Sequence, residues 1–505
     1  LKTLTNATVY SYDPVRKAYE RSNGLVLDRG RIVSLDPCDA GAGAQRIDLG
    51  GATILAAFAD CHVHLTDTGL LMQERNLSQT RSYNEFVSAV AGQENDRYVF
   101  AGNYDESSWR DGRAADATPL DVNFPDAYAM LVRIDGHSCI VNRKTLAWLN
   151  FPAATDGIEM NSAGAPTGKL FLEANWKAQS RFLQALPLQQ RRAAERRATT
   201  LALSRGALHL HVQLVGFPRE DYRGEIAALE SLPPAKWYPK ICEPDAPLAK
   251  SLGLPFVGGD VFLDGSIGSC TAAVSEPFKS AVDAKAPGSG ALKYSDDEVF
   301  AYFSEAHRLG IAAGVHAIGD RAIEQCIATW ERVLDGEPTT QRHFIEHFEI
   351  ARQDQIERCA RLGIYLSMQP QFDELWGGAG NMYDVRLGTA RMQTMNALAR
   401  AQAAGAVLCG GDDSPVCELS PLRGMHAACH HRTPGESLTP EQALTMYTYN
   451  AARFGHVEEH TGLLRSGYAA DFVVLDRDPL LDGDFEAARV LQTWSDGEPV
   501  FASDP

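Results

Sequence analysis

From residue 58 to residue 412 the chain alternates short apolar, strand-like segments with helix-like ones. That alternation is the pattern of a parallel sheet whose strands are joined by crossover helices. Eight segments read as strands: FADCHVHL (58–65), ALHLHVQL (207–214), KWYPKICE (236–243), GGDVFLDG (258–265), IAAGVHAIG (311–319), HFIEHFEI (343–350), IYLSMQP (364–370) and AVLCGGD (406–412). Eight is the number that closes a barrel, so the expectation is an α/β fold of the (β/α)8 TIM-like type. The gap between the first two segments is too long for one crossover, which predicts an inserted subdomain around residues 68–195. The ends read as β: LTNATVY (4–10), LVLDRGRIVSL (25–35), QRIDLGGATIL (45–55), FVVLD after Ala470-Asp471, and a strand pair around Asp496-Gly497. They predict a small β-sandwich assembled from residues 1–56 and 457–505, around a barrel of residues 57–456.

Composition narrows the function classes. The chain has 505 residues and a formal charge of −18, with no long basic run, which argues against nucleic-acid and anionic-membrane partners. No uninterrupted apolar stretch approaches the ~18–20 residues of a membrane helix. Ten cysteines are scattered without a CxxC pair. In a chain of this size they read as reduced thiols of a cytoplasmic protein rather than as disulfide staples. Thr439-Pro440-Glu441-Gln442 reads as a helix start, with Thr as N-cap and Gln at the third position. A small-molecule substrate is the expected partner.

Within the first strand-like segment, His62 and His64 are two residues apart. Residues i and i+2 of a strand point the same way, so both imidazoles face one side. Chemistry in a barrel sits at the carboxyl ends of its strands. His62 and His64 end the first, His316 lies late in the fifth, His347 late in the sixth, and Asp412-Asp413 follow the eighth. Any one of these residues alone reads equally well as structural. Together they make a donor set suited to zinc or another borderline divalent metal. Such an ion acidifies a bound water and polarises a carbonyl. Asp413 is suited both to hold the ion and to act as general base.

The segment ATILAAFADCHVHL (52–65) resembles the entry motif of the amidohydrolase superfamily, PGFIDxHxH, with Ala56-Ala57 in place of Pro-Gly. DGHSCIVNRKTL (135–146), APTGKLFLEA (165–174), FLDGSIGSCTAAV (262–274), VHAIGDRAI (315–323), FIEHFEI (344–350), GGDDSPV (410–416) and TGLLRSGYAADFVVLDRDPL (461–480) are similar to the branch containing N-substituted formamide deformylase. The resemblance implies a metal-dependent hydrolase of amide-like C–N bonds, with His62, His64, His316, His347 and Asp413 as ligands. A deaminase of a cyclic or aromatic amidine on the same site, and a non-catalytic metal- or ligand-binding relative, are the alternatives. It also selects Asp413 over Asp412. Relatives tend to carry a lysine where this chain has Asp260; as a carboxylated side chain that lysine bridges two ions. Asp cannot be carboxylated and is shorter, which favours one zinc ion over two.

In the one-ion arrangement, His62, His64, His316 and Asp413 hold the ion and His347 steadies an oxyanion. In the two-ion arrangement, His316 and His347 take the second ion, with Asp260 or a water as bridge. The resemblance further suggests His137, in the inserted region, as a substrate contact, Asp264 and Arg321 as braces of the site, and a homodimer. Trp109, Trp376, Phe372 and Tyr383 are candidates for an apolar pocket. Lys240, Cys242, His209 and His211 read as barrel interior or surface.

Overall fold

The computed structural model describes residues 1–503 apart from 42, 73–74, 92–96, 153, 215–220 and 281–287. Each of the eight segments expected to be a strand overlaps one, the fourth beginning two residues early at Phe256. Phe58–Val63, Ala207–Gln213 and Lys236–Lys240 pair in parallel as one sheet. Phe256–Phe262, Ala312–Ala317, Phe344–His347, Tyr365–Met368 and Val407–Gly410 pair in parallel, in chain order, as a second. Backbone hydrogen bonds cross between the two sheets at both edges. Gly258 N donates to Ile241 O (3.0 Å) at one, and Asp413 N to His62 O (2.8 Å) and His64 N to Ser414 O (2.9 Å) at the other. The arrangement is a TIM-barrel-like α/β layer.

Phe58–Val63, Ala207–Gln213, Ala312–Ala317 and Phe344–His347 are buried along their whole length, as parallel strands covered by helices are. Close spacing is built in: a Cβ on Gly314 would meet the Phe344 ring at 2.0 Å, so only glycine lets those two neighbouring strands pack. Local signals start and stop the covering helices. Ser295 and Glu298 form a capping box before Asp296–Leu309, which ends at left-handed Gly310. The expected start at Thr439 is a capping box with Gln442, leading Pro440–Tyr447.

The strand ends are shorter than the sequence suggests. Residues 264–265, 318–319 and 348–350 leave the strands as turns and loops, and several site residues lie at these exits.

The chain termini meet in a single eight-stranded mixed sheet rather than two separately bonded sheets. Lys2–Asp13 is the reason. It is 12 residues long and pairs with Leu25–Asp28 and Ala18–Ser22 along one edge and with Gln45–Ala56 along the other. Phe472–Leu475 then extends the sheet from Gln45–Ala56, followed by Val490–Ser495 and Glu498–Ala502. Leu4, Val9, Ile54, Phe472 and Trp494 form its core. The hairpin expected at Asp28-Arg29-Gly30 joins Leu25–Asp28 to Arg31–Ser34.

The long gap after the first parallel strand holds a six-stranded sheet running from Arg75–Asn76 to Pro166–Phe171. Among the described residues no helix is long and apolar enough to cross a membrane.

Candidate metal centre

His62 and His64 face the same side of the first parallel strand, as its alternation requires, with ring centroids 5.3 Å apart. Asp413 enters from the adjoining edge of the layer. Its Oδ1 lies 3.2 Å from His62 Nε2 and 3.1 Å from His64 Nε2. Asp260, at the end of Phe256–Phe262, places Oδ2 3.5 Å and 3.2 Å from the same two nitrogens. Two sets of ligand atoms lie within 4.8 Å of one another: His62, His64 and Asp413, and His62, Asp260 and His347.

Two of these side chains arrive by an unusual backbone. Adjacent residues of a strand face opposite ways, yet Glu346 and His347 both reach the site. The chain turns left-handed at His347 (φ 73°) and Phe348 (φ 54°), which swings the His347 ring inward. Phe348 N donating to Ala317 O (3.1 Å) and Ile350 N to Ile318 O (3.0 Å) hold that turn. Asp413 is also left-handed (φ 52°), so Asp412 and Asp413 diverge. Non-glycine residues held in this region carry local strain, which concentrates at functional sites.

Asp412 has partners of its own. It accepts hydrogen bonds from Ser420 N (2.7 Å) and Gln371 Nε2 (2.9 Å).

The electrostatics fit a cation. Burial opposes charge on His64, but the neighbouring Asp260 and Asp413 outweigh it and push its pKa up to about 10. Burial likewise opposes charge on His62, and Asp260, Glu346 and Asp413 together hold its pKa well above the usual histidine range. The rings in turn overcome burial to hold Asp260 and Asp413 well below the carboxylate range. His62 Nε2 and Asp413 Oδ1 are buried without a properly directed hydrogen bond among the described residues. Two imidazole nitrogens and two carboxylate oxygens converging this way are a borderline-metal donor set, so the residues present fit the metal.

A surrounding layer contacts these side chains. Glu346 Oε2, an acceptor, lies 3.0 Å from His62 Nδ1, and Gln213 Nε2, a donor, 3.2 Å from the same nitrogen. Gln369 Oε1 lies 2.9 Å from His347 Nδ1. An amide oxygen only accepts, so this contact puts the hydrogen on Nδ1 and leaves Nε2 as the lone pair. Glu346, Gln213 and Gln369 were not singled out from the sequence; the available signal was their place at or just after a strand end.

The structure does not bring every candidate to the centre. His316 lies against His347 (centroids 4.5 Å), but its Nε2 is 3.2 Å from Gly265 O. A carbonyl only accepts, so that nitrogen carries the hydrogen, and Nδ1 is buried without a hydrogen-bond partner among the described residues. His137 does face the cleft, its ring packed between Trp176, Phe262 and His316 at 4.9–5.5 Å. Burial pushes its pKa down to about 4, so the ring is neutral near pH 7.

Trp109 does not face the cleft. It packs on Tyr83 and Phe86 in the core of the inserted sheet. Phe372, Trp376 and Tyr383 border the inner side of the site, with Phe372 stacked on His347 at 5.9 Å. Asp264 accepts from Ala273, Ile318 and Gly319 N–H groups and so ties three loop segments together. The Arg321 side chain is exposed.

His209 and His211 lie among Tyr238, Thr461 and Phe454, away from the centre, while Cys242 lines the cleft. The cleft wall itself is largely apolar, including Leu71, Phe100, Trp176, Leu183, Phe262 and Val416.

A fold of this type with a histidine and carboxylate centre defines a metal-dependent hydrolase. The model of the amidohydrolase family matches residues 45–501, and the chain belongs to that family. It is a hydrolase of C–N bonds other than peptide bonds. Protein LONG AFTER FAR-RED 3 of Arabidopsis thaliana is 27% identical, over 99% of this chain and 91% of its own. N-substituted formamide deformylase of Arthrobacter pascens is 25% identical, over 90% of this chain and 89% of its own. Among solved structures, an uncharacterized metal-dependent hydrolase from Pyrococcus furiosus is 26% identical with a TM-score of 0.74, covering 95% of this chain and 99% of that one.

Proposed function

We propose that the protein hydrolyses an amide-like C–N bond of a small molecule with one zinc ion bound near His62, His64 and Asp413. Asp260 and His347 complete the donor set in this reading, and His316 stands outside it as part of the wall. The observation that carries it is that His62 Nε2 and His64 Nε2 each lie 3.1–3.5 Å from both Asp413 Oδ1 and Asp260 Oδ2. Of these atoms, His62 Nε2 and Asp413 Oδ1 lack a directed hydrogen bond among the described residues. The lone pair on His347 Nε2 is a ligand's form, not the donor that an oxyanion requires. When bound, such an ion lowers the pKa of water toward ~7 and polarises the scissile carbonyl.

The chain's own groups supply the rest. Asp413 takes the proton from the attacking water and passes it to the leaving nitrogen. His137, neutral and packed over His316, contacts the substrate from the inserted region. The apolar wall receives the part of the substrate that is not cleaved and keeps bulk water from the reacting carbonyl.

The same reading closes the eight parallel strands into a (β/α)8 barrel of residues 57–456, with an insert around 68–195 and a terminal β module of 1–56 and 457–505. The hydrogen bonds across both sheet edges and the separate core of the terminal sheet support that division. A panel of neutral amides and cyclic amidines, assayed for amine, carboxylate and ammonia, tests the reaction. Amine and carboxylate released together are expected. Ammonia without a carboxylate product would replace hydrolysis by deamination.

A further inference from the structure

Behind His62 lies a fully buried ion pair that the proposed reaction leaves unused. Lys240, the last residue of Lys236–Lys240, and Glu346, in Phe344–His347, are both 0% exposed. Lys240 Nζ donates to Glu346 Oε1 (2.6 Å) and to Cys61 O (2.9 Å), the carbonyl just before His62. The ammonium also lies over the Phe344 and Phe454 rings, at 4.9 and 4.7 Å. The other carboxylate oxygen, Oε2, lies 3.0 Å from His62 Nδ1 and makes no directed hydrogen bond among the described residues. Three different strands of the parallel layer therefore meet in a line: ammonium, carboxylate, imidazole.

We propose that Lys240 and Glu346 are positioning residues for the metal centre, the lysine fixing the carboxylate and the carboxylate holding His62 so that Nε2 faces Asp260 and Asp413. This rests on the reading that His62 is a ligand. A carboxylate only accepts, so in this proposal the His62 hydrogen sits on Nδ1 towards Glu346 and the lone pair on Nε2. Gln213 Nε2, which can only donate, competes for the same Nδ1 at 3.2 Å. Charge makes the lysine necessary. A divalent ion is balanced by Asp260 and Asp413, so the Glu346 charge has to be balanced separately, and Lys240 is in contact to do it. Removing one member of a buried pair leaves an uncompensated charge, whereas removing both does not.

The test measures zinc affinity of the full-length protein by competition with a chromophoric chelator, alongside the thermal midpoint. Outer partners of ligating histidines typically change metal affinity ~10–100-fold. Glu346→Gln, nearly isosteric, is expected to weaken zinc binding about 10-fold or more on that basis. Lys240→Met is expected to weaken it further, and Lys240→Met/Glu346→Gln to recover to the level of Glu346→Gln alone.

Wild-type affinity in Glu346→Gln would overturn the proposal and would mean that Gln213 orients His62 instead. A double variant no better than Lys240→Met would overturn the charge-balancing role. If Lys240→Met does not fold, Glu346→Gln alone decides. Wild-type protein that binds no zinc would instead remove the metal-site reading on which the proposal rests.

Discussion

Asp412 and Asp413 are adjacent, chemically identical and placed in opposite roles. Asp412 is enclosed, accepts from Ser420 and Gln371, and its pKa is raised well above the carboxylate range by burial and by nearby Asp60. Asp413 faces the two histidines, which hold it charged against burial. Asp413→Asn is therefore expected to lower kcat by ~100-fold or more, the contribution of a positioned base. Asp412→Asn, whose NH2 must face one of these two N–H donors, is expected to lower the melting midpoint while the folded fraction keeps kcat near wild type. Steady-state kinetics on the two variants checks both, and equal losses would reject the division. That His62, His64, His347 and Asp413 come together was legible in the sequence because they fall at strand exits. Glu346 was not, because strand alternation places a ligand's neighbour on the opposite face. The left-handed turn at His347 that breaks the alternation carries no glycine to announce it.

At the level of elements, the insert reaches the cleft through several segments, and the short loop 134–137 is the one that carries His137. Arg133 is buried among Asp105, Glu106 and Asp135, with contacts of 2.8, 3.0 and 2.9 Å. Asp135 also accepts from Ser266 and Ser269, both at 2.7 Å, on the loop after Phe256–Phe262. His137 N donates to the same carboxylate at 3.2 Å, so this network sets where the ring stands. Trp109 belongs to the insert's interior instead. Trp109→Ala is expected to cost about 3–5 kcal/mol of stability, as large-to-small changes at buried aromatics do. KM of the folded fraction is expected to stay unchanged, and a raised KM with an unchanged melting midpoint would place Trp109 in the cleft after all. An aromatic residue offers the same sequence signal in a core and in a pocket. The eight strands were legible from their apolar runs, whereas the pairing of the terminal strands into one sheet depended on partners distant in sequence.

On the scale of the molecule, the terminal sheet and the parallel layer meet at buried polar contacts. His209 lies 3.0 Å from Tyr238 Oη and 3.3 Å from Thr461 Oγ1, beside Asp471 at the start of the terminal sheet's later strands. Burial lowers its pKa from the usual 6.5 to about 4. The unfolded chain then binds more protons than the folded one between those values. This contribution is complete above pH 6.5 and is lost as pH falls toward about 4. Across that window the loss is about 1.4 kcal/mol per pH unit. His209→Gln is expected to flatten the acid limb of the melting midpoint against pH, and parallel curves for the two proteins would refute the assignment.

The most direct test of the whole account is the metal content of protein purified from zinc-replete medium, measured by elemental analysis together with turnover before and after chelation. The account predicts close to one zinc per chain, activity lost on removal and regained on return, and metal-free protein when His62 and His64 are both replaced by Ala. Metal-free wild-type protein that still hydrolyses its substrate would contradict it.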